Sequence, residues 1–251
     1  MLEYQLIRSK RRKTLSLQVR HGHVTVRAPH YISSAFIDTF IQEKNAWLRT
    51  KLAEQQEALE FCDFTQGSSL LFLGEQLTLN ICSAKQSTVF IDSPLVSEVE
   101  LYSDYKPSLR QLNVVISERV SAKLTEPLVR AKRVKKLLET YFKQQAEQLF
   151  IERLELLSNQ TSLIPTKVTV RQYRARWGSC NNRGELSLNY LLIMAPVFVI
   201  DYVIIHELCH LEHLNHSKSF WKLVEQYCPN YQIAKKWLKT HQSQLHWQNL
   251  R

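Results

Sequence analysis

The stretch VIIHELCHLEHLNHSKSFW, residues 203–221, gathers four of the chain's nine histidines into eleven positions. The residues around them are apolar enough to read as a core helix. Within it, His206-Glu207-Leu208-Cys209-His210 fits the pattern H-E-x-x-H. On a helix, side chains four apart stand one turn above each other, so both imidazoles can reach one ion. Glu207 lies beside that face, placed to take a proton from water activated by the metal. With nine histidines in 251 residues, ~0.02 chance matches to this pattern are expected, and a helical context lowers the number. The alternative is two polar histidines on an exposed face while Leu208 and Leu211 pack inward.

A zinc hydrolase needs a third protein ligand. His213, His216 and Glu225 compete for that place. If the helix continues to about Leu214, His213 stands in a row with the pair and cannot surround a tetrahedral ion. His216 reaches the ion only if the chain turns near Leu214-Asn215, with Asn215 in the left-handed conformation and Ser217 capping a new helix, KSFWKLVEQY. The spacing equals that of metzincins, with His213 where their motif has glycine.

Upstream, Pro196 suits the first turn of the motif helix. Before it, KVTVRQYRARWGSC alternates like a strand, Asn181-Asn182-Arg183-Gly184 reads as a turn, and ELSLNYLLIM reads as a second strand, together a hairpin. Arg174 and Arg176 could stabilise an oxyanion or grip a phosphate. Trp177 and Gly178 read as anchors against the motif helix, and Cys180 and Cys209 as small buried fillers. From about Arg110 to Leu157 the composition is helical, with a stripe of Leu137, Tyr141, Phe142, Ala146, Leu149 and Phe150.

Toward the N-terminus, Tyr4 to Arg27 alternates around His21-Gly22-His23, a β-hairpin. A helix is expected over Ala35–Leu59, with Phe36, Ile37, Phe40, Ile41, Trp47 and Leu48 at helical spacing. LLFLGEQLTLNI, turning at Gly74-Glu75, and STVFI add strands. Residues 92–110 make the best linker. The expected fold class is α+β, with an N-terminal β-rich module over 1–100 and a mainly helical hydrolase domain with a short sheet over 110–251.

At these residues the chain resembles the YgjP-like family of predicted metal-dependent hydrolases, related to SprT-type zincins. RSKRRKTLSLQVR…VTVRAP, R-x-R-W-G-S-C at Arg174–Cys180, the strand Leu186–Asn189 and VIDYVIIHELCHLEHLNHSKSFW carry the resemblance. It implies a zincin-like C-terminal domain, with His206, His210 and His216 at metal-ligand positions and Glu207 as catalytic glutamate. It also implies a strand along the cleft, for which 185–190 would offer its edge to an extended peptide.

The composition, 44% hydrophobic and 22% charged, is that of a globular protein, and no apolar run approaches the length of a membrane span. The N-terminus lacks the order of a secretory signal, so the cytoplasm is expected. Five dispersed cysteines without CxxC exclude a disulfide framework or thiolate knuckle. The net charge of +10 favours anionic partners without choosing among them. The densest basic run, Lys10–Lys13, suits a solvated strand end, with a phosphate site as the alternative.

Zinc-dependent hydrolysis of a peptide or protein is therefore the leading expectation. The rivals are a nucleotide phosphoanhydride hydrolase and a nucleic-acid-binding module with a structural zinc site.

Overall fold

The computed structural model describes residues 3–20, 23–57, 62–92, 110–173, 176–245 and 247. The chain forms two compact units, Met1–Glu60 and Phe61–Arg251.

In the first unit, β1 (Tyr4–Ser9), β2 (Ser16–Arg20) and β3 (His23–Pro29) form a sheet in the order β1-β3-β2. The expected hairpin is the antiparallel β2/β3 pair, and β1 runs parallel along the other edge of β3. The tip of the expected turn, residues 21–22, lies outside the described residues. Lys10–Lys13 occupy the link between β1 and β2, where Arg12 donates to the Ser16 hydroxyl at 2.9 Å.

The helix expected over 35–59 is two helices, α1 (Ser34–Glu43) and α2 (Asn45–Glu57), separated at Lys44. The Ser33 hydroxyl caps α1 by accepting the Phe36 N–H. Ile37, Ile41 and Leu48 pack with Val24, Val26 and Ala28, while Phe36 and Trp47 are exposed. Of the apolar positions in this stretch, the four-residue spacing of Ile37 and Ile41 decides which face turns inward.

The second unit opens with β4 (Ser69–Phe72), β5 (Glu75–Ala84), β6 (Thr88–Ile91) and β7 (Gln111–Ser117), ordered β4-β5-β7-β6. Two expectations are corrected here. Residues 111–117 form a strand rather than the start of a helix: Val114, Val115 and Ile116 are β-branched, and β7 is paired on both sides and buried from Leu112 to Ile116. Because β5 pairs with β7 over seven residues, the strands of 69–91 belong to this unit. The division therefore falls near residue 60, not at the expected linker. Most of that linker, residues 93–109, lies outside the described residues.

After the short α3 (Glu118–Ser121), α4 (Pro127–Thr161) begins with proline at N1, where the missing N–H costs nothing. Its buried stripe Ala131, Val134, Leu138, Phe142, Ala146, Phe150, Leu154 and Leu157 is the spine of the core.

β8 (Lys167–Arg171), β9 (Gly178–Cys180) and β10 (Glu185–Asn189) make a third sheet in the order β8-β10-β9. The turn over 181–184 and the antiparallel β9/β10 pair are as expected, with Asn181 Oδ1 accepting the N–H groups of Arg183 and Glu185. The strand expected from Lys167 to Cys180 is instead two separate strands, and the expected second strand stops at Asn189. However, β10 is the middle strand, parallel to β8, so it has no edge to offer a peptide. The edges are β8 and β9, and of the two it is β9 that lines the cleft described below.

A 3-10 turn (Tyr190–Met194) leads to α5 (Val197–Cys209), followed by α6 (Lys218–Tyr227) and α7 (Tyr231–His241). Arg153 of α4 clasps Asp201 of α5 through two charge-assisted hydrogen bonds of 2.8 and 2.7 Å. The architecture is α+β. Among the described residues no helix is long and apolar enough to cross a membrane. All five cysteines are free thiols.

Candidate metal centre

The motif residues sit where α5 ends. Helical geometry runs only to Cys209, with His210 as the cap, and the chain then tightens through Leu211 N–H to Leu208 O at 2.9 Å. The helix is thus five residues shorter than expected, and His213 does not stand above His210. Instead, its backbone carbonyl lies 2.9 Å from His210 Nδ1. A carbonyl only accepts, so Nδ1 carries the proton and Nε2 keeps its lone pair.

The return of the chain is also made differently from expectation. Asn215 is not among the residues with positive φ. Its side-chain oxygen accepts the Ser217 N–H at 3.2 Å, and the Ser217 hydroxyl accepts the Phe220 N–H at 3.3 Å. The chain reverses through this linked turn and cap, and His216 points back to the motif.

One ring nitrogen from each of His206, His210 and His216 lies within 4.8 Å of the others. His206 Nε2 and His216 Nε2 are 3.0 Å apart. A tetrahedral zinc with Zn–N bonds of about 2.0–2.1 Å holds its nitrogens roughly 3.3 Å apart, so the set fits such an ion with small adjustments. Neither His213 nor the exposed Glu225 belongs to the set.

Burial pushes His206 down to about 3, helped by His210, His216 and Lys235. His216 is lowered by burial and then by His210 and Lys235. Both are therefore neutral at physiological pH, the ligating form. His206 Nδ1 is buried without a protein partner. An aromatic shell fixes the rings: Phe220 stacks on His210 at 4.5 Å, Trp221 on His216 at 5.8 Å, and Tyr202 meets His206 edge-on at 5.9 Å.

Glu207 is 6% exposed. Burial raises its carboxyl to about 7, against the lowering by Arg176 and by a backbone hydrogen bond from Cys180. Gly178 makes room for it, since a Cβ there would lie 2.6 Å from Glu207 Oε1. That close approach gives the expected anchoring role of Gly178 a definite cause. Gly178→Ala is expected to lower activity by about 10²-fold with metal retained, because displacement of ~1 Å at a reacting group costs that much. Steady-state rates alongside metal analysis check it.

A cleft of about 420 Å³ joins these groups, lined by Arg176 and β9 on one side and by the three histidines and Glu207 on the other. Arg176 therefore lies at the site, whereas Arg174 falls outside the described residues. Cys209 is fully buried, and burial pushes its thiol up to about 12, in keeping with a packing role.

Sequence reasoning missed Asn189. Fully buried, it donates to the carbonyls of Tyr173 and Arg176 and so ties down the loop carrying Arg176. An asparagine entering the apolar run YLLIM was the available signal. Tyr173 was missed too; its hydroxyl lies 2.7 Å from Ser179 Oγ and accepts from Arg171 Nε at 3.0 Å, bracing β9.

A family model described as the YgjP-like metallopeptidase domain matches residues 13–241. The chain belongs to this family. The YgjP-like assignment covers the whole of the cleft and makes the activity class that of a metal-dependent peptidase. Among solved structures, the metallopeptidase zymogen of Pyrococcus abyssi, abylysin, is similar at 22% identity and a TM-score of 0.34, covering 37% of this chain and 95% of that one. No curated protein matches.

Proposed function

We propose that this YgjP-like protein is a zinc metallopeptidase in which His206, His210 and His216 hold the metal and Glu207 is the general base. The observation that carries the reading is the convergence of three imidazole nitrogens within 4.8 Å beside a buried carboxylate. Imidazole ligands favour zinc over magnesium or calcium. When bound, the metal supplies Lewis-acid polarisation of the carbonyl and acidifies water at the site.

The chain's own residues do the rest. An extended peptide adds to the open edge of β9, with Gly178, Ser179 and Cys180 lining the cleft. Glu207 takes one proton from water as the water oxygen attacks the scissile carbonyl carbon. The C–N bond then breaks, and Glu207 returns that proton to the departing amine. Arg176 offers its guanidinium to the negative charge that develops on the carbonyl oxygen.

Cleavage of an unfolded protein such as reduced casein tests the reading. The 251-residue protein is expected to cleave it, to lose the activity to a chelator and to regain it with zinc. Hydrolysis of nucleoside triphosphates in place of peptide, with the same metal dependence, would sink it.

A further inference from the structure

Lys235 stands beside the cleft with no carboxylate partner among the described residues. Its ammonium lies over the Trp221 ring, 4.5 Å from the centroid, and Trp221 stacks on His216. Tyr231, one turn earlier on α7, stacks on the same indole at 5.4 Å. The lysine is thus held next to the metal-site histidines by a cation–π contact, which fixes the charge without neutralising it. Arg176 lies on the β9 side of the same cleft. Among the described residues, neither cation is in an ion pair.

The surrounding charge is mostly positive. Residues 218–241, spanning α6 and α7, carry five lysines and one glutamate. Of the described acidic residues, only Glu207 lines the cleft. Asp201, the nearest acid along α5, is held by Arg153. With Arg176 in its wall and the Lys235 ammonium held just outside it over Trp221, the cleft favours a substrate with negative charge near the bond to be cut, and disfavours a basic one.

We infer that Lys235 is a specificity-determining residue that selects peptides bearing an aspartate or glutamate beside the scissile bond. This rests on the peptidase reading above. A peptide is favoured over a phosphate ligand because the open β9 edge pairs with an extended backbone, and a nucleotide has none to offer.

The test measures binding apart from turnover. Zinc-loaded Glu207→Gln protein of all 251 residues is titrated into fluorescent peptides of about ten residues that differ only in a central Asp-Glu, Ala-Ala or Lys-Lys pair. Fluorescence anisotropy is read with and without the further change Lys235→Glu. The acidic peptide is expected to bind about tenfold more tightly than the lysine peptide, and Lys235→Glu to reverse that order. Lys235→Met, which keeps an apolar stem over Trp221, is expected to abolish the preference if the glutamate variant misfolds.

Equal binding of the three peptides, a preference indifferent to position 235, or no binding of the acidic peptide overturns the inference. So does a nucleoside triphosphate that displaces the acidic peptide and binds more tightly with the same dependence on Lys235. If acidic peptides bind in the expected order but wild-type protein cleaves none, the peptidase reading fails and the charge selection stands. If neutral and acidic peptides are cleaved equally, the reverse holds.

Discussion

Glu207→Gln is expected to lower kcat by about 10²–10⁴-fold, the range for removing a positioned general base, while zinc content stays at the wild-type level. Glutamine keeps the size and shape of the side chain. It therefore still fits against Gly178, where the closest approach leaves no room for a larger group. The imidazole ring nitrogens are untouched, since the glutamate lies outside the three-histidine set. What disappears is the oxygen proposed to take the proton from water. Rates on casein, set beside metal analysis of the same preparations, separate the outcomes. Full activity in the variant would remove Glu207 from the mechanism, and loss of zinc would show that it holds the metal instead.

The second large effect is expected at the proposed third ligand. His216→Ala should lose most of its zinc, with affinity lowered by at least the ~10–100-fold that follows removal of groups merely supporting a ligand. His213→Ala should retain it. The difference follows from which atoms each residue contributes. His216 brings a ring nitrogen to within 3.0 Å of His206 Nε2. His213 brings a backbone carbonyl to His210 Nδ1, and alanine has the same carbonyl. Competition against a chromogenic chelator reads both variants. Zinc lost from His213→Ala and kept by His216→Ala would overturn the ligand set.

At His213 the structure replaces the cause that the sequence suggests. Spacing alone sets His213 aside because a continuous helix would line it up with the motif pair. The helix stops at Cys209, and the imidazole is out of the set because the chain has already turned. Its carbonyl then has a part no side-chain argument could find. Asn215 shows the same limit. A turn there was legible, but a hydrogen bond from Ser217 to its side chain makes the turn, not a left-handed backbone.

Local patterns failed wherever pairing partners were distant in the chain. Residues 111–117 sat at the head of a helix-rich segment, and only β5 and β6 on either side make them a central strand. The same pairing moved the division of the chain back to residue 60. β10 was legible as a strand beside the motif helix, but its position between β8 and β9, which makes β9 the edge strand at the cleft, depended on a parallel partner that no hairpin rule supplies.

The sequence by itself determined the α+β class, the helix bearing His206, Glu207 and His210, and the cap at Ser217 that starts the next helix. These are short-range properties: side-chain spacing along one helix and hydrogen bonds within one turn. Tertiary structure alone decided the reach of His216, the glycine-sized gap that admits Glu207, the asparagine that ties down Arg176, and the lysine held over Trp221. Each of these needs two segments brought together by a shared core, and the distance between them is set by packing, which residue spacing does not encode.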